Sequence, residues 1–504
     1  MIYNLLEKSC KQYGEQVALE CNKTITYNGL NTCAHQVAVE LREMGIQEGD
    51  SILLAMDNSI EFAIGFFGIN LVGATIIPVY MNSGINKLKD IITFYEIKVI
   101  VTLPKYKKLF TEIEKEYSKL QMNLLYVQYE TEHLQMNRVG EYEIESSTVI
   151  CKESPAIILF SSGTTNMPKG IMLSNTNIES NVLAISSYLK LSHEDQILLI
   201  KNINHASSIT GELLVGLANG CTLHMLTGIL TASRTLKVLA DKKISVLFGV
   251  PTLLNAMMAE RNFETYDLSA LRIINFYGAS MAIAKIKELA NKFPATNLIY
   301  SYGLTEAAPR VTYIMREQLL AKEGTSGIPI EGTSVEIMAE DQIVPPYKIG
   351  EICVKGPNVM QGYYKNEMQT QKVLRDGYLH TGDLGYKDEE GYLYVTGRRD
   401  NLIIKTGKNV YPEEIEGVIL GFKGIKEVLV RGEADELLGQ DIVAYVVGVE
   451  GVEFKLVDVL KHCKKALEDY KIPGKIYKVK ALEKTISGKI IRKQIIDLGS
   501  EASE

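Results

Sequence analysis

Through its first two-thirds the chain alternates short apolar runs with amphipathic stretches, and this alternation narrows the fold more than any other feature. SILLAM (51–56), TIIPVY (75–80), KVIVTL (98–103), NLLYVQY (123–129) and AIILFSS (156–162) read as buried strands. QILLI (196–200), CTLHML (221–226), VLFGV (246–250) and RIINFYG (272–278) continue the series. Between several of them lie helical patterns such as NKLKDIITFY (86–95) and MAIAKIKELANKF (281–293). Strands apolar on both faces, alternating with helices, imply parallel sheets covered on both sides, an α/β architecture. One apolar stretch, FAIGFFGINLVGATIIPVYM (62–81), is long enough to cross a bilayer. Gly73 sits where a helix would end and β-branched residues follow, so the stretch predicts a helix over 59–72 and a strand over 75–80, with no transmembrane segment. The start, MIYNLLEKSC, lacks the basic and apolar regions of a signal peptide.

The texture changes near 327. From there to about 396, short alternating runs such as EICVKG (351–356) and GYLYVTG (391–397), punctuated by Gly and Pro, predict a small β-rich part. After Asp400 a segment the size of a small domain mixes strands with helices over 412–420 and 456–467. Pro412, Glu413 and Glu414 make a good helix start. The expected organisation is a large domain, 1–399, and a small one, 400–504. A net charge of −7 argues against a nucleic-acid partner. The seven cysteines are widely spaced with no C-x-x-C pair, and the seven histidines are scattered. That pattern excludes the usual zinc signatures and reads as reduced thiols in a cytoplasmic protein. With no tryptophan, aromatic contacts at any site must come from Tyr and Phe.

The strongest chemical signal follows the strand AIILF: Ser161-Ser162-Gly163-Thr164-Thr165-Asn166-Met167-Pro168-Lys169-Gly170. Backbone N–H groups and hydroxyls can donate to phosphate oxygens, lysine adds charge, and glycine allows close approach. It is not a Walker A loop, because Pro168 precedes the lysine and Gly170 stands where Ser or Thr would bind magnesium. The string resembles the phosphate loop of the adenylate-forming superfamily, which includes acyl-CoA synthetases, adenylation domains and beetle luciferases. Asn166 departs from the glycine usual there.

The resemblance runs on in order. Tyr302-Gly303-Leu304-Thr305-Glu306 is similar to the family's YGxTE motif. It implies that Tyr302 stacks on adenine, Thr305 contacts the α-phosphate and Glu306 holds Mg²⁺. A carboxylate beside a triphosphate is favourable only with a cation between them. Gly278-Ala279-Ser280 resembles the stretch lining the adenine pocket, Thr381-Gly382-Asp383 the motif whose Asp accepts from the ribose hydroxyls, and Gly397-Arg398 the segment whose Arg reaches the ribose. Asp400 falls on the family's hinge. Ser487-Gly488-Lys489-Ile490-Ile491-Arg492 resembles the motif of the catalytic lysine, here Lys489, with Glu483 replacing a proline usual upstream. Gly407, in Thr406-Gly407-Lys408-Asn409, stands where the family's small domain faces the thiol tunnel, and is equally readable as a turn glycine.

The implied fold is α/β: a large domain of two α/β sheet subdomains plus a β-rich part, hinged to a small α+β domain. The implied activity is that of an ATP-dependent acid–thiol ligase using Mg²⁺ and CoA. An acyl-carrier protein is the alternative acceptor, an idle nucleotide-binding protein the alternative of another class, and oligomeric state stays open. In the acid pocket, Asn204-His205-Ala206-Ser207-Ser208 lacks the Asp that pairs with an amino acid's ammonium, which argues for a fatty or aryl acid. His205 matches a position flanking the carboxylate. ITGELLVGLANG (209–220) reads as a helix whose small residues, Gly211, Gly216, Ala218 and Gly220, either leave room for an acyl chain or serve packing. Glu212 within it caps, pairs or faces solvent.

Overall fold

In the computed structural model, residues 1–81, 84–116, 122–130, 133–140, 154–160, 169–228, 230–435, 438–484, 490–492 and 501–502 are described. The expected apolar runs form strands in two large sheets. One sheet has eight strands in the order 362–363, 170–173, 157–160, 75–79, 51–55, 99–102, 123–130, 133–139. The other has nine: 328–329, 310–315, 297–303, 273–277, 246–249, 196–199, 222–225, 17–20, 24–26. Their centres are parallel, as expected.

Their edges are antiparallel, which corrects the all-parallel expectation. Ile157–Phe160 returns as Gly170–Leu173, and Asn297–Gly303 returns as Arg310–Met315. A strand that doubles straight back needs no crossover helix. The motif stretch 304–309 therefore connects two antiparallel strands near one edge of the nine-stranded sheet.

The long apolar stretch folds as expected, into the helix Ile60–Leu71 and the strand Thr75–Val79. The Ser59 side chain accepts from Phe62 N at 3.2 Å to start the helix, and Gly73, at φ +75°, ends it. The helix is buried on nearly every side, from Ile60 through Asn70. A helix apolar all round is a core helix when sheets cover it. Among the described residues no helix is long and apolar enough to cross a membrane.

The β-rich part forms a six-stranded, antiparallel sheet from Ser334–Ala339, Gln342–Ile343, Gly350–Lys355, Leu374–Arg375, Tyr378–Lys387 and Leu393–Arg398. Gly362–Tyr363 leaves it to pair with Gly170–Leu173 of the eight-stranded sheet. Beyond 400, a hairpin of Ile403–Lys405 and Lys408–Val410 precedes a four-stranded sheet with the helices Pro412–Leu420 and Leu456–Ala466. Ile415, Ile419, Val430, Ala444, Val459 and Cys463 are among its core. Arg492 pins the last segment: it reaches both carboxylate oxygens of Glu416 at 2.8 Å and Val430 O at 2.9 Å.

Candidate active site

Near the end of strand Asn297–Gly303 stands Tyr302, whose hydroxyl donates to Asp383 Oδ2 at 2.5 Å. Asp383 lies on Tyr378–Lys387, and its other oxygen is 3.3 Å from Arg398 Nε, on the neighbouring strand Leu393–Arg398. Burial, and next the Asp383 charge, push the Tyr302 hydroxyl well above the usual tyrosine range, so it stays protonated as a donor. The turn before Asp383 is held from below. Thr381 Oγ1 donates to Ile352 O at 2.8 Å and accepts from Asp383 N at 3.0 Å. Gly382 N donates to buried Glu351, which also takes His380 Nδ1 at 2.9 Å and Arg399 Nη2 at 2.6 Å. This brings three separated motifs, at 302, 383 and 398, into one cluster.

The loop 303–310 is the second half. At Gly303 any Cβ would run into the Pro309 carbonyl, which accounts for a glycine there. Thr305–Ala307 form a 3₁₀ turn, and Ala308–Pro309 is a cis peptide. Two buried asparagines clamp the loop. Asn181 Nδ2 donates to Ala307 O at 3.3 Å and Arg310 O at 2.8 Å, and Asn358 Nδ2 donates to the same two carbonyls at 3.0 and 3.1 Å. Glu306 Oε1 accepts from the Tyr363 hydroxyl at 3.1 Å, and Lys169 Nζ sits 5.4 Å from the Tyr363 ring centre. The exposed lysine of one motif and the carboxylate of another thus flank one tyrosine. Sequence reasoning missed Tyr363, Asn181 and Asn358; no local pattern marks them, because their partners are far along the chain.

The remaining expected residues fall as follows. Gly278, Ala279 and Ser280 form an exposed turn at the end of Ile273–Tyr277. His205 is exposed at the start of a short helical turn, Ala206–Ser208. Asp400 is exposed in the turn Arg399–Asn401, beside Asn401, whose amide donates to Glu413 at 2.8 Å. Gly407, at φ +74°, closes the hairpin 403–410 with open space around it. Ser161, Ser162, Gly163, Thr164, Thr165 and Lys489 lie outside the described residues. The flanks of Lys489 are fixed, by an antiparallel bridge between Lys484 and Ile490 and by the Arg492 anchor.

Around 209–220, the stretch expected to border the acid, the structure departs from expectation. Residues 209–214 are wound as a π-helix, Ile209–Leu214, rather than continuing an α-helix. The glycines leave no room for an acyl chain at their own positions. A Cβ at Gly216 would meet Ile197 at 2.8 Å, one at Gly211 would meet the Arg310 guanidinium at 3.2 Å, and the space at Gly220 is filled by Tyr13. Packing is their role. Glu212 is fully buried and paired: Lys201 Nζ lies 2.9 Å from it, and the Tyr277 hydroxyl donates to the same oxygen. Lys201 also reaches Ser207 Oγ at 2.8 Å, and Arg310 stacks 3.5 Å over the Tyr277 ring. Burial brings the Lys201 ammonium down to about 8, against the pull of Glu212, and Arg310 adds to the lowering.

The family model described as AMP-binding enzyme matches residues 6–364, and the AMP-binding enzyme C-terminal domain matches 414–489. The chain is 28% identical to a long-chain-fatty-acid–CoA ligase of Bacillus subtilis, over 99% of this chain and 95% of that protein. It superposes on the o-succinylbenzoate CoA synthetase of Bacillus subtilis bound to its acyl-adenylate intermediate with a TM-score of 0.84, at 25% identity, covering 99% and 98% of the two chains. The same enzyme in complex with ATP and a magnesium ion gives a TM-score of 0.83 at 26% identity, over 98% and 99%.

Proposed function

From the premise that this chain belongs to the family of AMP-binding enzymes, with both its large and its C-terminal domain matched, we propose how its residues divide the work. The activity is ATP-dependent, AMP-forming ligation of a carboxylic acid to CoA. In the first step a carboxylate oxygen attacks the α-phosphorus of ATP, and the bond to pyrophosphate breaks. In the second the CoA thiol attacks the acyl carbon, and AMP leaves. The first step joins two anions, so the protein must supply positive charge and in-line positioning rather than a nucleophile.

The convergence of Lys169, Tyr363 and Glu306 carries this reading. Lys169 and the hydroxyls of 161–165 supply donors for the phosphates. The Glu306 carboxylate, steadied by Tyr363, fits a hard, oxygen-seeking cation, and Mg²⁺ bound there would offset phosphate charge. Asp383 is an acceptor held between Tyr302 and Arg398, suited to the paired hydroxyls of a ribose. Tyr302 offers the ring face for adenine, beside the backbone of 278–280. Thr305 is assigned to the α-phosphate, Lys489 to the bridge between carboxylate and α-phosphate, and His205 to the flank of the carboxylate. Asp400 is assigned to the hinge between 1–399 and 400–504, and Gly407 to the thiol path. The acid is a fatty or aryl acid, and CoA rather than a carrier protein is the acceptor.

Acid-dependent exchange of pyrophosphate into ATP, without CoA, tests the first step. Lys489→Ala is expected to lower it by at least ~10²-fold, the scale of losing a charge-stabilising donor. Thioester formation from supplied acyl-adenylate should survive. Equal loss in both halves would remove Lys489 from the first step, and absence of exchange with any acid would contradict the reading itself.

A further inference from the structure

One carboxylate joins the turn at Asp400 to the segment of Lys489. Glu413 stands in the first turn of helix Pro412–Leu420. Its Oε1 accepts from Asn401 Nδ2 at 2.8 Å and lies 3.3 Å from Arg492 Nη2. Asn401 directly follows Asp400, and Arg492 closes the string Lys489-Ile490-Ile491-Arg492. The other oxygen of Glu413, Oε2, is buried without a hydrogen-bond partner. It rests against Gly397, where any Cβ would run into it. Gly397 directly precedes Arg398 on strand Leu393–Arg398. The side chain thus meets that strand, the turn Arg399–Asn401 and the chain just past Lys489.

Two ordinary roles do not account for this placement. An acidic side chain in a first turn suits the helix dipole, but that role needs neither Asn401 nor Arg492. Leaving a buried carboxylate oxygen without a donor also costs stability, which a helix start does not require. Charge balance at Arg492 is already met, because its Nη1 and Nη2 each reach an oxygen of Glu416 at 2.8 Å, and Nη1 donates to Val430 O at 2.9 Å. What Glu413 adds is a fixed spacing between the turn 399–401 and Arg492. The bridge between Lys484 and Ile490 holds the same segment from its other side.

We propose that Glu413 is a positioning residue for adenylation, setting the place of the Lys489 segment relative to Asp400 through Arg492 on one side and Asn401 on the other. The inference rests on the ligase reading above, with Lys489 assigned to the first step and Asp400 to the hinge. A step governed by in-line placement is sensitive to a small displacement of the group that supplies charge. Thiol attack on the acyl-adenylate does not use Lys489 and does not depend on this spacing. Glu413 acts through Arg492 and Asn401, not on the substrate.

The test measures the two half-reactions separately on the purified full chain, with the best acid from a panel of fatty and aryl acids. One is acid-dependent exchange of pyrophosphate into ATP; the other is thioester formation from the supplied acyl-adenylate and CoA. Glu413→Ala is expected to lower kcat for exchange by at least ~10-fold, the scale of a misplaced group, with KM for ATP and acid unchanged. Thioester formation should stay at the native rate. Asn401→Ala should act in the same direction, and the double variant should be no worse than Glu413→Ala, because residues in contact do not add. Glu413→Gln keeps an acceptor oxygen and should keep most of the exchange rate. A role confined to starting the helix would lower both half-reactions together and leave their ratio native, which would overturn the proposal, as would additive losses in the double variant. Asn401→Ala carries the ratio test if Glu413→Ala fails to fold. Native exchange with an unchanged ratio in the variants would overturn this inference alone. No exchange by the native chain with any acid would overturn the ligase reading and the inference with it.

Discussion

Lys201 shows how a single residue's surroundings set its chemistry. Its ammonium is largely enclosed by Glu212, Tyr277 and Arg310, and burial brings it down to about 8. The folded value lies below the unfolded one, about 10.4. Between them the unfolded chain binds the extra proton, so this contribution destabilises the fold at lower pH and is relieved as pH rises through that window. Stability towards urea is therefore expected to rise as pH goes from about 8 towards about 10.4, and Lys201→Met should remove that rise. Urea midpoints at pH 8 and above measure it; parallel pH profiles for the native chain and the variant would detach Lys201 from the effect. Neither Lys201 nor Arg310 stood out in the sequence. Each lies just outside the stretches that carry the motifs, and their convergence on the Tyr277 ring depends on the tertiary fold. Motif residues such as Glu306 and Asp383 stood out because they belong to contiguous strings.

At the scale of elements, strand and helix positions were readable almost to the residue, because buried parallel strands are short apolar runs with polar boundaries. The antiparallel edges were not, since a strand's own pattern does not record the direction of its neighbour. Those edges matter, because the motif loop 304–309 connects one such pair. The loop 303–310 is held by Asn181 and Asn358, both buried, on the same two carbonyls. Asn181→Leu is expected to destabilise the fold by about 1–3 kcal/mol, the cost of leaving buried backbone groups with fewer partners. Urea unfolding measures this. An unchanged midpoint would mean that Asn358 suffices. Gly303→Ala should cost more, because the obstruction is the Pro309 carbonyl rather than a side chain that can move.

At the scale of the whole molecule, two domains meet near Arg399 and Asp400. Arg399 is tied to Glu351 of the β-rich sheet, and Asn401 to Glu413 of the first small-domain helix. The proposed hinge at Asp400 would let one small domain serve two steps. Asp400→Pro restricts the backbone at that point and is expected to slow thioester formation more than adenylation; equal effects on both would displace the hinge.

The most direct test of the central claim is the product balance. Purified protein with Mg·ATP, CoA and its best acid should form AMP, pyrophosphate and acyl-CoA in equal amounts, none of them without the acid. ADP and phosphate in their place, or AMP and pyrophosphate with no thioester, would contradict it.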